Sequence, residues 1–532
     1  MAGRRMRHRR RCSKLRRTPT RDDDVQSAPT AAPGTPVDYR WLAAASLLLS
    51  LWLIATDPLI NRDAIIYLRT AETYLQNGFG ASQQLFGRPL LSILFATVHQ
   101  VTGLPLVYAG LLVNSLFYAL LCVAFVATLH TLGGDRRVQL IGAIVILSHP
   151  VLNEHRSSIM RDPAFLAMLV LSLRELLLYA RDPRAAHQLR WLGCILLATL
   201  FRFEGLFFAL LAPLSLLCCR DLPRRLHHCL RMLLPPFLVA ALSAAALALY
   251  QSGLDPGARV FPGIGHYLDQ LADFPSRFGA TASASAELML EFTAREDASL
   301  ALLAALMAIL LLNICRALTW PWVITLLWGW RARLQTRLRR DDHRVLLVHL
   351  CISLAYLVAF TLINRFMLER YAIHLVVFLL LYLAFILNAL WQAGSRQALR
   401  RWVVAALLLV MTLDTLHNRN HEKAFVRDAT EWLAANAPPG ATLVSNEHYL
   451  AYFSGLSVDW REAEYRGFDL RRILASPDFW RTRDYLAMRV RREDQEAWEA
   501  FLRRYSLQET AVFDGGRHGK VSIVALDQHR AE

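Results

Sequence analysis

Asp63 and Tyr67 stand one helical turn apart in Asn61-Arg62-Asp63-Ala64-Ile65-Ile66-Tyr67-Leu68, just after the first apolar run of the chain. A carboxylate fixed beside a membrane can take the proton of a hydroxyl or amine as that group attacks an electrophile. A phenol one turn away can touch the same substrate. A second carboxylate, Asp162, heads a later apolar run as Asp162-Pro163, with Glu154 and His155 in the segment before it. Each acid also has a plainer reading. Asp63 stands where a helix N-cap belongs, and Asp162-Pro163 reads as an N-cap followed by Pro at N1. Glu154 and His155 read either as acceptor contacts or as solvated loop residues.

Six arginines accompany these acids: Arg88, Arg156, Arg161, Arg202, Arg365 and Arg370. All fall in short segments on the side of the membrane where positive charge is normally scarce. Several have an acid close by, as in Arg161-Asp162, Arg202 with Glu204, and Glu369-Arg370. Charges at a membrane face are costly unless paired or bound to something. Singly, each arginine can snorkel to water. Together, their guanidinium forks suit the oxygens of a lipid phosphate.

The elements that must position these residues follow from composition. The chain has 532 residues, 55% of them apolar, which is too apolar for a soluble chain of this length. Its net charge of +16 is not a nucleic-acid signal, because it is concentrated at the N-terminus and in short loops between apolar runs. About eleven spans are expected, near 41–56, 104–131, 138–150, 163–180, 190–201, 205–219, 232–252, 298–319, 345–363, 371–391 and 402–417. Loops with Arg136/Arg137, Arg181/Arg184/Arg190, Arg220/Arg224/Arg225, Arg331/Arg333 and Arg400/Arg401 all fall on the side of the basic N-terminus. That side is inside. An odd span count puts the segment after residue 417 outside.

Three regions result. Residues 1–38 form a basic, disordered cytoplasmic tail. Residues 39–417 form the transmembrane part, and 418–532 a small α/β extracytoplasmic domain. Within the first outer segment, Ala64, Leu68, Ala71 and Leu75 make one helical stripe ending near Gly78, and Pro89 to Val101 makes a second. Two amphipathic helices lying on the membrane surface are expected there. In the tail, Glu431-Trp432-Leu433 opens a helical pattern that stops at Pro438-Pro439-Gly440. Thr442-Leu443-Val444 and Val521 to Leu526 read as strands. The eight cysteines avoid the outer segments and show no zinc spacing, and Gly-rich phosphate loops and Ser elbows are absent.

With these residues in order, the chain resembles the integral-membrane glycosyltransferases of the GT-C superfamily. The likeness is nearest to the bacterial branch that includes protein O-mannosyltransferases and the aminoarabinose transferase of lipid A. It is carried by Asp63 and Tyr67, Ala71 and Gly78, Arg88-Pro89-Leu90, His149-Pro150, Asp162, Phe201-Arg202-Phe203-Glu204-Gly205 and Arg370-Tyr371. The tail segments from Glu431 to Gly440 and from Tyr452 to Gly455 extend it.

The resemblance implies an inverting transfer of a sugar from a polyprenyl-phosphate carrier to an envelope lipid, glycan or protein on the outer face of a bacterial inner membrane. Asp63 would be the general base and Asp162 a second catalytic acid of the next outer loop. Arg88, Arg161, Arg202 and Arg370 would meet the donor phosphate, and Tyr67, Glu154, Glu204 and Tyr371 would touch substrate. No cofactor is predicted; a divalent metal is left open. The chain departs from the pattern at Ala64, where nearby branches carry Glu, and at His374, where an apolar residue is usual. A transporter or lipid flippase, or a polysaccharide polymerase or ligase of similar architecture, are the alternatives. A transporter calls for repeats and mid-span acids, but no repeat is visible, and Glu175 and Asp414 lie near span ends.

Overall fold

In a computed structural model of the protein, residues 35–57, 59–252, 272–289, 291–334, 338–392, 397–417 and 421–526 are described. The basic segment before residue 35 and the centre of the expected outer loop 253–297 lie outside the described residues.

Helices dominate up to Leu416. They are α1 (Tyr39–Thr56), α2 (Arg62–Leu85), α3 (Leu90–Thr102), α4 (Leu106–Thr131), α5 (Arg136–Leu147), α6 (Pro150–Asn153), α7 (Asp162–Arg181), α8 (Ala185–Phe201), α9 (Glu204–Leu211), α10 (Ser215–Cys218), α11 (Arg225–Ser252), α12 (Phe274–Met289), α13 (Ala298–Leu318), α14 (Trp320–Arg331), α15 (Arg340–Asn364), α16 (Ile373–Gln392) and α17 (Gln397–Leu416). Among the described residues, seven helical stretches are long and apolar enough to cross a membrane: α1, α4, α7, Arg225–Ser243, Arg295–Leu318, α15 and Glu369–Gln392. The exposed faces of these helices carry residues such as Trp41, Leu51, Leu300 and Leu311. Lipid solvates such faces and water does not. The chain is an integral membrane protein.

The four remaining expected spans fall on shorter or more polar helices. They are α5, α8, the α9–α10 pair broken by a 3₁₀ turn at Ala212–Leu214, and α17, which carries Arg400 and Arg401 near its start. At the centre runs α16, buried all round from Ile373 to Leu390 except at Leu379. Uniform hydrophobicity is what an interior helix requires.

Residues 57–103 form the two expected helices, α2 and α3, but Gly78 does not end the first. It takes φ 79° and ψ −170°, and the helix resumes beyond it to Leu85. Glycine alone takes that conformation without strain, so the kink redirects α2 rather than stopping it.

Beyond residue 420, α18 (Ala424–Asn436) begins seven residues before the expected pattern. Four strands follow: β1 (Leu443–Ser445), β2 (Tyr485–Val490), β3 (Ala511–Asp514) and β4 (Lys520–Ala525). They form one sheet in the order β1-β2-β4-β3, with β1 parallel to β2 and the other pairs antiparallel. Apolar clusters cover both faces. Leu486, Met488 and Val524 pack with Trp498 and Phe501, while Ala487, Val521 and Ile523 pack with Phe425 and Leu433. Burial on both faces makes β1 and β4 read as near-continuous apolar runs, whereas the edge strand β3 alternates half-buried and exposed residues.

Short helices between β1 and β2, namely α19 (His448–Phe453), α20 (Trp460–Tyr465), α21 (Leu470–Leu474) and α22 (Pro477–Trp480), bring this region onto α2. The Tyr452 hydroxyl donates to Glu72, and Arg69 pairs with Glu464 at 2.5 Å while lying 3.9 Å over the Trp460 ring. Arg62, Arg69 and Glu72 share one side of α2. Asp63 and Tyr67 share another, about a quarter-turn or more away at roughly 100° per residue.

Candidate active site

The N-cap of α2 is Asn61, whose side chain accepts from the Ala64 amide at 3.2 Å. Asp63 is therefore not the cap, contrary to the plainer expectation, and its carboxylate is available. It lies in the first turn, where the helix dipole favours negative charge. Arg370, 307 positions away, donates from Nη1 to Asp63 Oδ2 at 2.6 Å. Both side chains remain about a third exposed, and among the described residues nothing else bonds Asp63. Its Oδ1 is open. Arg370 Nη2 reaches the Tyr371 hydroxyl at 3.4 Å, and Arg370 Nε is buried with no partner.

Asp162 is likewise not a cap. It is the first residue of α7, and Arg161 occupies the cap position without a side-chain bond. Pro163 still falls in the first turn, where its missing N–H costs nothing. The Asp162 carboxylate accepts instead from Arg202 Nη1, while Arg202 Nε donates to Glu204 at 3.0 Å. One guanidinium thus holds two acids at the sharp turn from α8 to α9. That turn needs Gly205, because a Cβ there would lie 2.6 Å from the Thr199 nitrogen. Arg202 lies 5.7 Å from the Tyr371 ring and Arg370 5.2 Å from the same ring. Tyr371 therefore joins the Asp63–Arg370 pair to the Arg202 triad.

Arg161 donates from Nε to the Tyr67 hydroxyl at 2.9 Å and from Nη1 to the Phe201 carbonyl at 3.4 Å, and it lies 5.0 Å from the Phe86 ring. Burial pushes the Tyr67 phenol above its ordinary pKa, with the nearby Arg161 opposing the rise. Arg88 lies 5.8 Å over Phe203. Among the described residues, neither Arg88 nor Arg161 forms an ion pair with a carboxylate. Four guanidiniums face three acids here, and Arg88 and Arg161 carry the charge that is not directly paired.

The structure separates the remaining expected residues from this cluster. Glu154 is exposed just past α6, and its side chain has no hydrogen bond or ion pair among the described residues. Arg156 is fully buried and donates to Asn153, Ser46 and Ser50. It is a tie between α1 and the α6 loop and faces no outer surface. Arg365 bonds Thr281 and joins α15 to α12. The six arginines are therefore not one cluster, since four converge and two hold the fold. Among the described residues, no group of three or more His, Cys, Asp or Glu is arranged to hold a metal ion.

One feature escaped the sequence reading, an arc of aromatic rings running from Phe203, the neighbour of Arg202, round to Tyr371. Phe203 packs on Phe207 (6.0 Å), Phe207 on Tyr356 (5.3 Å), Tyr356 on Phe360 (6.0 Å) and Phe360 on Tyr371 (4.8 Å). The signal was present as two i, i+4 aromatic pairs, Phe203/Phe207 and Tyr356/Phe360, which one turn of helix places on a common face.

No protein-family model matches the chain, and a search of curated proteins finds no match. Solved structures do match. ArnT from Cupriavidus metallidurans, bound to undecaprenyl phosphate, is similar with a TM-score of 0.54 at 14% identity, covering 92% of this chain and 97% of that one. The oligosaccharyltransferase of Archaeoglobus fulgidus, in complex with zinc and sulfate, is similar with a TM-score of 0.53 at 13% identity, covering 86% and 69%. The same archaeal enzyme tethered to an acceptor peptide gives 0.52 at 12% identity, covering 87% and 70%. These likenesses concern the fold, which is GT-C-like.

Proposed function

We propose that the protein moves a sugar from a polyprenyl-phosphate carrier to an envelope acceptor (a lipid, glycan or protein) at the outer face of a bacterial inner membrane. The observation that carries this reading is the juxtaposition of an acid with one free oxygen, Asp63, and guanidiniums without a carboxylate partner, Arg161 and Arg88. A base and an anion site side by side are what a displacement at a sugar phosphate requires. The GT-C-like fold, shared with a structure bound to undecaprenyl phosphate, supports it.

The acceptor hydroxyl or amine attacks the anomeric carbon, and Asp63 Oδ1 takes its proton. The bond from that carbon to the phosphate oxygen breaks, and polyprenyl phosphate leaves with the electron pair. Negative charge grows on the phosphate as it leaves, and fixed guanidiniums stabilise that charge more than the starting charge. Arg161 and Arg88 supply this. Arg202 and Arg370 hold Asp162, Glu204 and Asp63 in place, so Asp162 organises the site rather than exchanging protons. The aromatic row from Phe207 to Phe360 offers the prenyl chain an apolar path from the bilayer. Residues 39–417 act as the catalytic part, with 418–532 outside, as the inner basic loops imply.

The test is turnover by purified protein in detergent, given radiolabelled polyprenyl-phosphate sugars and a membrane extract as acceptor source. Label moving from carrier to an extract component, with release of polyprenyl phosphate, is expected. Intact donor with every sugar offered would overturn the reading.

A further inference from the structure

A cleft of about 710 Å³ opens between the C-terminal sheet region and the start of α2, on the tail-facing side of that helix. Its volume is within the range of roughly 300–1,000 Å³ usual for small-molecule sites. Arg62 forms its membrane-side wall, and the next residue is Asp63. Four arginines and four acids line it, so it carries no formal charge to attract an anion.

Most of these charges are already paired. Arg489 donates to Glu447 at 2.8 Å, Arg471 to Asp494 at 3.0 Å, and Arg491 lies 3.5 Å from Glu493. What is left over is a mixed set of donors and acceptors. Arg62 is exposed and has no partner among the described residues. Glu447 bonds Arg489 only through Oε2, and Asp469 caps α21 only through Oδ1. One oxygen of each acid is therefore open. At the floor, His448 stacks on Phe468 with ring centroids 3.7 Å apart. Burial and the Arg62 and Arg69 charges push the His448 pKa down to about 4, so the ring is neutral at ordinary pH.

A phosphate brings net negative charge, and the two open carboxylate oxygens would repel it. A hydroxyl group is donor and acceptor together. A ring bearing several hydroxyls can satisfy the exposed Arg62 guanidinium and the free carboxylate oxygens at once, and its C–H face suits a flat neutral ring pair. We propose that this cleft is the acceptor subsite and that it takes a polyhydroxylated, glycan-class headgroup, delivering one hydroxyl past Arg62 to Asp63. The inference rests on the transferase reading above and narrows its acceptor.

The experiment uses full-length protein in detergent and two variants that keep the fold's own bonds. Arg62→Gln removes a side chain with no protein partner, and Asp469→Asn keeps a capping oxygen. Equilibrium binding of the radiolabelled, deacylated oligosaccharide fraction of the membrane extract is measured directly, with inorganic phosphate and a tryptic peptide mixture as competitors. Binding weakened about tenfold in each variant is expected, as for loss of one charge-assisted hydrogen bond. Neither competitor should displace the oligosaccharide. Where transfer is followed, the acceptor KM should rise by the same factor while the donor KM stays put. A matching rise with the intact extract would assign the headgroup of a lipid-linked acceptor, and a rise with the deacylated fraction alone a free glycan.

Unchanged oligosaccharide binding in both variants would overturn the proposal. So would displacement by peptide or phosphate. Because binding is read without turnover, failure of the cleft and failure of the transferase reading give different results.

Discussion

Arg156 and Arg161 stand five positions apart in one loop, and the structure gives them opposite work. Arg156 is completely buried. Its Nε donates to Asn153 at 2.5 Å, and its Nη1 to the Ser46 carbonyl and hydroxyl at 2.9 Å and the Ser50 hydroxyl at 2.8 Å. Its Nη2 points at the Cys122 sulfur at 3.5 Å, and Tyr118 lies 4.4 Å beneath it. Every nitrogen is engaged by the protein. Arg161 uses Nε and Nη1 on Tyr67 and Phe201 and leaves Nη2 unbonded among the described residues. Both look alike as charges on an unexpected side of a membrane. What separates a strut from a ligand site is whether the fold uses up the N–H groups.

The largest expected effect breaks the strut. Arg156→Ala leaves a cavity and several buried oxygens without donors, each a named route to large destabilisation. A loss of about 3 kcal/mol or more is expected, read as a lower unfolding temperature in detergent, with turnover per folded molecule preserved. Arg161→Gln should do the reverse. Unfolding should move by less than about 1 kcal/mol, since Gln keeps an amide donor for Tyr67. Donor turnover should fall about 10–100-fold, as for loss of a charged contact to a developing charge. If both variants fail in the same way, the distinction between them collapses.

Smaller effects probe the docking of the C-terminal region. Tyr452→Phe removes a hydroxyl that donates to Glu72 and should weaken docking on α2 by about 1–2 kcal/mol, seen as faster hydrogen exchange in α19. A pH dependence is also expected at His448. Its folded pKa lies below the unfolded value, so the unfolded chain binds the extra proton first as pH falls. Stability is complete above about pH 6.5 and declines toward pH 4, where protonation completes. Burial drives most of the shift, the Arg62 and Arg69 charges add to it, and Asp63 opposes it. In His448→Gln, exchange in α19 should lose this dependence.

The sequence exposed the parts that rest on composition and period. Long apolar runs, the surface helices α2 and α3, and strands β1 and β4 all follow from local pattern. β2 and β3 did not stand out. Tyr485–Val490 carries Arg489 within it, and only two of the four residues of Ala511–Asp514 are large and apolar. The acids and arginines of the site were visible as residue types, but their partners were not. Arg370 meets Asp63 across 307 positions, and no local rule predicts that pair. Nor could spacing tell that Asn61 takes the cap and frees Asp63, because both residues cap well. The aromatic row required knowing that α9 and α15 face each other.

The most direct test of the account is single-turnover transfer by Asp63→Asn beside wild type, with donor affinity measured in parallel. Asn keeps the shape and can still accept from Arg370, but it cannot take a proton. The account predicts unchanged donor binding and a chemical step slowed about 10²–10⁴-fold. A variant that transfers sugar at the wild-type rate would contradict it and leave Asp63 as no more than the anchor of Arg370.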